Sequence, residues 1–380
     1  MQVVDKEKRG VKVKTRGKLI RSISRIGVLA GFTYVIISLI LLASGMPHRH
    51  AYTMVLGGLL LLPHSVAIAY IASTALRGGP ILLEIVAYLT IPLFVLPIEG
   101  VFHKYGLSLA YFAALSLLTA ASSFEASSGR KGSIQLSLRL VGLTYILASI
   151  GSIAAIYLDG TVKFSYLAIL LASAYPLPLI LSVTSHSLPG TFQDGPNTIG
   201  AYTDMALYYA TVGLLASLHA RLAMVVLAAA ALLYVYAGKL YRIPYYRFKI
   251  PAGLDRRHPA RAGMEYFLKG HYHAIILSLV VAACSLTASI RGECWTLGVV
   301  HTVVLGFVSI HFMIHGPLML PVILGVRHAK NYHTLNFHLN TLATILWPIN
   351  GSASFALYVT ALILALLIVA GPRKINLPLI

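Results

Sequence analysis

Apolar stretches of about 20 residues, the length a helix needs to cross ~30 Å of hydrocarbon, recur along the whole of this chain. Nothing else in the sequence limits its fold so sharply. Such runs are incompatible with a soluble globular domain. The composition agrees, with hydrophobic residues at 58%, charged residues at 11% and a mean hydropathy of +0.80. The expected architecture is an all-α, polytopic membrane protein.

Twelve spans are read. The first six run from Ile26 to Gly45, Tyr52 to Leu76, Pro80 to Phe102, Tyr105 to Ser122, Leu138 to Leu158 and Phe164 to Thr184. The remaining six run from Ala201 to His219, Leu222 to Leu240, His273 to Ile290, Thr296 to Leu320, Leu335 to Ile349 and Ala353 to Ala370. Pro63, Pro92, Pro97, Pro176 and Pro178 are expected to kink the helices that contain them. The chain then divides into a basic tail (1–25), one membrane domain (26–372) and a short terminal tail (373–380). The longest interruption, Tyr241 to Gly270, is rich in Pro, Arg and Tyr and reads as a loop joining spans eight and nine; Ser185 to Gly200 has the composition of a turn.

Charge tests the count independently. With the amino terminus in the cytoplasm, all but five of the 30 basic residues fall inside; the exceptions are Arg49, Lys104, Lys163, Arg221 and Arg291. That asymmetry is what the positive-inside rule demands, and an even number of spans places both termini in the cytoplasm of a cell-membrane protein. It also explains the formal net charge of +19 without nucleic acid, for which no recognition module is present. The basic tail orients the first span and meets anionic lipid. Cys284 and Cys294 make no disulfide framework, and no CxxCH sequence exists, so any haem is held non-covalently.

Ionisable side chains inside a bilayer are costly and mark function by default. Span ten, HTVVLGFVSIHFMIHGPLMLPVI, carries His301, His311 and His315. His311 and His315, four residues apart, share a helix face about 6 Å from each other, while His301 and His315 return to nearly the same face over roughly 21 Å. His50 and His64 repeat the same fourteen-residue offset in span two. Two tiers result. The outer tier holds His48, His50, His103, His219 and His301; the middle and inner tier holds His64, His311, His315, His186, His271, His273, His333 and His338.

Two axial imidazoles from facing helices hold a haem iron, and two or three converging nitrogens hold copper. His48 or His50 facing His301 or His219 suits the first; His311 with His315 and a partner such as His64 suits the second. The bland alternatives stand beside these. His48, His50 and His219 also suit the membrane interface, and His333 and His338 sit at one. His103, His186, His258 and His328 are expected in solvent. His271 and His273, two apart, point to opposite sides of their helix, so at most one faces the bundle. Glu84, Glu99 and Asp204 either feed protons to a buried centre or sit at interfaces, the second reading being preferred for Glu99 and Asp204.

Three stretches resemble the NnrS family of twelve-span haem- and copper-containing membrane proteins, related in architecture to the catalytic subunit of haem-copper oxidases. HRHAYTMVLGGLLLL matches that family's H-x-H opening of span two and points to His48 and His50. The start of span ten resembles its H-x-x-x-x-G helix, on His301 and Gly306. KGHYHAIILSL, after a basic loop, resembles the stretch where the family places a histidine near a helix start, on His271 or His273. The family's arginine and proline motif after span six is replaced here by SHSLPGTFQDGP, and the consecutive histidines of the oxygen-reducing signature are absent. The resemblance implies a haem-copper-oxidase-like bundle, b-type haem with copper, an electron-donor protein or quinol as partner, and a role in nitric oxide or nitrosative-stress chemistry. It implies His48, His50 and His301 at the haem and His271 or His273 at a metal; the reading of the residues adds His219 to the first set and His64, His311 and His315 to the second. A cofactor-free secondary transporter is the principal alternative, with His311, His64 and Glu84 as proton or substrate ligands; a non-catalytic subunit of a respiratory complex is the third.

Overall fold

The structure is a computed structural model that describes residues 2–75, 80–192, 195–245, 259–292, 296–324 and 332–370. Arg77, His258, Cys294, Arg327, His328, Lys330, residues 246–258 of the basic loop and the terminal tail lie outside the described residues. Every regular element among the described residues is a helix. The protein is an all-α, multi-pass membrane protein.

Each expected span corresponds to a helix. The first six are α1 (Gln2–Ala43), α2 (Pro47–Thr74), α3 (Ile81–Phe102), α4 (Gly106–Ser128), α5 (Gly132–Leu158) and α6 (Phe164–Pro189). The second six are α7 (Thr198–Ala216), α8 (Ala220–Ala237), α9 (Pro259–Arg291), α10 (Thr296–Pro321), α11 (Leu335–Leu346) and α12 (Gly351–Ala370). Ten of them are long and apolar enough to cross a membrane. The other two are α7, which carries Asp204 and three tyrosines, and α11, whose 12 residues reach only about 18 Å at 1.5 Å per residue.

Proline and the backbone explain the interruptions. Pro92 and Pro97 lack an N–H and clash with the preceding turn, and α3 gives way there to tighter 3₁₀ segments, Ile91–Phe94 and Leu96–Phe102. In α6 the break falls at Tyr175, immediately before Pro176, where the helical conformation is disfavoured. Two helices are locally widened: α2 over Met54–Leu61, just ahead of Pro63, and α10 over Thr302–Val308. Widened π segments of this kind concentrate at functional sites.

Within the membrane domain the contacts gather into two compact units, Met1–Ser187 and Leu188–Ile380. In the first, α4 packs along α5, and α1 lies against α2 and α3. Glycine permits the closest approach: a Cβ on Gly31 would stand 2.8 Å from the Leu62 Cβ and 3.1 Å from its Cα. In the second unit α8 packs against both α7 and α9, and α10 lies among α9, α11 and α12. Ile26, Leu29, Ile36 and Ile40 of α1 are each more than half exposed. In water they would form an apolar patch of the kind that drives association, whereas lipid solvates them.

Candidate metal centre in the second unit

The second unit brings three of the expected histidines together. His271 on α9 and His311 and His315 on α10 form a triangle with ring centroids 5.4 Å (His271–His315), 5.9 Å (His271–His311) and 6.3 Å (His311–His315) apart. Gly270 makes the approach possible. A Cβ there would fall 2.3 Å from the Ile314 Cγ1 and 2.8 Å from the Phe337 Cζ, so only hydrogen fits where α9 meets α10. Phe267 closes the pocket, with its ring 4.3 Å from His271 and 5.5 Å from His315.

The hydrogen bonds fix the tautomers. The Nδ1 of His271 lies 2.9 Å from the Phe267 carbonyl and that of His311 lies 2.7 Å from the Phe307 carbonyl, each four residues back on its own helix. A carbonyl only accepts, so Nδ1 carries the proton in both rings and Nε2 presents a lone pair, the tautomer of a metal-ligating histidine. At His311 that lone pair accepts the Tyr234 hydroxyl, 2.6 Å away. The Nε2 atoms of His271 and His315 are buried and have no hydrogen-bond partner among the described residues. Orphaned polar atoms of this sort cost about 1–3 kcal/mol each in a protein interior. Two of them on rings 5.4 Å apart demand an explanation.

The other expected site residues are placed differently. His273 turns away from the triangle, as its two-residue offset from His271 requires; its Nδ1 is 2.8 Å from the Thr341 hydroxyl and its ring lies 4.7 Å from His338. His64 finds its partners inside the first unit. Thr90 donates its hydroxyl to the Val86 carbonyl, so it accepts from His64 Nε2–H at 3.0 Å; Nδ1 then accepts from the Tyr145 hydroxyl at 2.8 Å. Tyr175 in turn donates to Tyr145 at 2.9 Å. Both nitrogens of His64 are thereby occupied.

In the outer tier, His301 stacks on Trp347 with centroids 3.7 Å apart and planes at 15°, its Nδ1 donating to the Leu297 carbonyl. His219 is exposed, with Nδ1 2.7 Å from the Ser217 carbonyl at the junction of α7 and α8. His50 meets the Ser38 hydroxyl at 2.8 Å. His48 is exposed, 6.2 Å from the ring of His103, whose Nε2 receives the Arg49 Nε–H at 3.1 Å.

These arrangements test the groups that the sequence resemblance implies. A haem with two axial histidines needs imidazoles facing each other across a flat gap, and the described ring neighbours of the outer-tier histidines within each unit supply no such pair. Copper needs nitrogen donors from neighbouring rings, and His271 and His315 bring two unpartnered Nε2 atoms on rings 5.4 Å apart, with His311 beside them. No set of three His, Cys, Asp or Glu side chains among the described residues has donors already gathered for a metal. The fit is therefore to two imidazoles, with His311 held aside by Tyr234.

Three side chains at this site carry no signal in the sequence beyond their residue type. Tyr234, Trp347 and Gly270 sit in apolar helices where tyrosine, tryptophan and glycine are ordinary. Asp204 departs from its expected place at the interface and is fully buried, while Glu99 does serve a helix end, accepting the Ser108 N–H at 2.7 Å. His186 is half-buried rather than solvated, with Nδ1 3.1 Å from the Ser133 hydroxyl. Comparison with known protein families, curated proteins and solved structures finds no match for this chain.

Proposed function

We propose that this is a metal-holding membrane protein acting in redox chemistry, with His271 and His315 as the ligands of a copper ion. The observation that carries the reading is the pair of buried Nε2 atoms with no hydrogen-bond partner, at least one of them locked in the lone-pair tautomer. Imidazole suits copper, and copper(I) accepts as few as two nitrogen donors. Bound there, the metal would supply a one-electron centre. The chain's own contribution is to fix the ring of His271 through Phe267, to keep water away with the Phe267 and Ile314 side chains, and to hold His311 in reserve through Tyr234.

The NnrS resemblance extends the reading to a role near nitric oxide, in a cell membrane with both termini inside, with non-covalent haem b and a quinol or donor protein as electron source. Purification from membranes replete in haem and copper tests both parts. Metal analysis should find copper in the wild type and a large loss in His271→Ala and His315→Ala, with Thr341→Val unchanged. A reduced-minus-oxidised spectrum reports haem. A folded, colourless protein that takes up no copper(I) overturns the proposal and leaves the transporter reading.

A further inference from the structure

Tyr266, Asn336 and Asn340 lie buried where α9, α10 and α11 meet, outside the histidine triangle. Both asparagines are fully buried, and each presents an Oδ1 atom with no hydrogen-bond partner among the described residues. An amide turned end for end would place its NH2 there instead, but the neighbouring backbone prevents the reversal.

Pro317 has no N–H, which leaves the Met313 carbonyl, four residues back on α10, without its helical donor. Tyr266 of α9 fills that place, donating its hydroxyl to the Met313 carbonyl at 2.8 Å. With its one proton committed, the Tyr266 oxygen can only accept, and it takes the Asn336 Nδ2–H at 2.8 Å. Asn340 is fixed in the same way. Its Nδ2 donates at 3.3 Å to the carbonyl of Gly306, in the widened segment of α10, and a carbonyl only accepts. Glycine lets α11 come this close, since a Cβ on Gly306 would stand 2.7 Å from the Thr344 Cγ2. Reversing either amide would set oxygen against oxygen, so both Oδ1 atoms are held facing away from these partners. They are four residues apart on one face of α11, one turn from each other.

Two amide oxygens that nothing donates to, beside backbone carbonyls already turned toward the same junction, call for a ligand that is attracted to oxygen alone. A hard monovalent cation is such a ligand, and membrane proteins replace its hydration shell with neutral carbonyl oxygens. A divalent ion is held by carboxylates instead. The partial positive charge at the start of α11 opposes a cation, but it fades within the first turn, and Asn340 lies beyond that turn. We infer that Asn336 and Asn340 hold one alkali cation, sodium or potassium, where α11 meets α9 and α10. The ion fastens α11, a helix too short to span the bilayer, to its two long neighbours. Its donors are oxygens and include neither His271 nor His315, so the site stands independently of the copper reading.

Thermal unfolding of the purified protein in mild detergent, followed by circular dichroism, tests the site in mixtures of sodium, potassium and N-methyl-D-glucamine chloride at constant ionic strength. A ligand that binds only the folded state raises stability with the logarithm of its concentration. The melting temperature of the wild type should climb by about 3 °C for each tenfold increase in the preferred alkali cation, and stay level in N-methyl-D-glucamine. Equilibrium dialysis should find that cation bound at a single site. Asn336→Leu and Asn340→Leu should lower the melting temperature in every salt and abolish its dependence on the cation. Asn350→Ala should keep the full dependence, since that amide is exposed at the start of α12 with its Oδ1 accepting the Ala353 N–H at 3.0 Å. A wild type that melts alike in all three salts, as buried water alone at the two oxygens would give, overturns the inference, and so does an undiminished cation response in both leucine variants.

Discussion

Gly270→Ala adds a single methyl group at the point where α9 and α10 meet, and the structure specifies what that methyl strikes. Its Cβ would stand 2.3 Å from the Ile314 Cγ1 and 2.8 Å from the Phe337 Cζ, against an ordinary carbon–carbon separation of about 3.5–4.0 Å. The Ile314 atom is a γ carbon of a β-branched side chain, which in a helix has one strongly preferred χ1, so a rotamer change that clears it is itself costly. The helices must part by about 1 Å, and overpacking of this kind costs about 1–3 kcal/mol. The same displacement widens the His271–His315 pair, since both flank the contact. Ile314→Ala alone leaves a cavity and costs about 2–5 kcal/mol. Together the two substitutions should cost less than their sum, by about 1–3 kcal/mol, because the new methyl occupies the space the isoleucine vacates. Denaturant unfolding in mild detergent, followed by circular dichroism, gives the four stabilities, and copper uptake on the same proteins should fall in Gly270→Ala and recover in the double variant. A coupling within about 0.5 kcal/mol of zero would refute the claim that this glycine sets the helix separation.

Tyr145→Phe removes the donor to His64 and the acceptor for Tyr175, leaving two buried groups unpaired in the first unit. A loss of about 1–3 kcal/mol is expected in the same unfolding assay, with copper uptake unchanged. Trp347→Ala takes away the ring stacked on His301, for a loss of about 0.5–1.5 kcal/mol beyond the area effect; a double-mutant cycle with His301→Ala isolates that term. Thr341→Val orphans His273 Nδ1 and should destabilise the fold without altering the metal content, which separates the two faces of α9.

Most of the fold was legible because hydrocarbon thickness imposes a length on every span, and that length is written directly in the apolar runs. α11 eluded this reasoning because the run from Leu335 to Ile349, apolar enough to read as a span despite Asn336, His338 and Asn340, holds a helix that ends at Leu346; hydropathy records solubility in lipid, not where hydrogen bonding stops. The site was legible in part for the same kind of reason. Helical periodicity placed His311 and His315 on one face and separated His271 from His273, and both relations hold in the structure. Periodicity carries no information about which helix is the neighbour, and so the third member is sought at His64 as well as at His271, and Tyr234 is not recognised as the partner of His311. The same blindness affected Asp204, whose position two turns into α7 suits an interface until α8 is packed over it.

The two units use one local device to different ends. In each, a widened π segment is followed, three residues after it closes, by a buried histidine: His64 after Met54–Leu61 and His311 after Thr302–Val308. In each, a tyrosine from another helix donates its hydroxyl to that imidazole. In the first unit the remaining ring nitrogen reaches Thr90, every donor finds an acceptor, and the network closes on itself as a structural joint. In the second unit the remaining nitrogen is satisfied by the helix's own backbone, and two further imidazoles stand alongside with unpartnered Nε2 atoms. Full satisfaction is the mark of a joint, because any change in such a network costs energy. A network left open pays that cost in the resting fold, and the proposed copper ion would remove it by taking the unpartnered Nε2 atoms of His271 and His315.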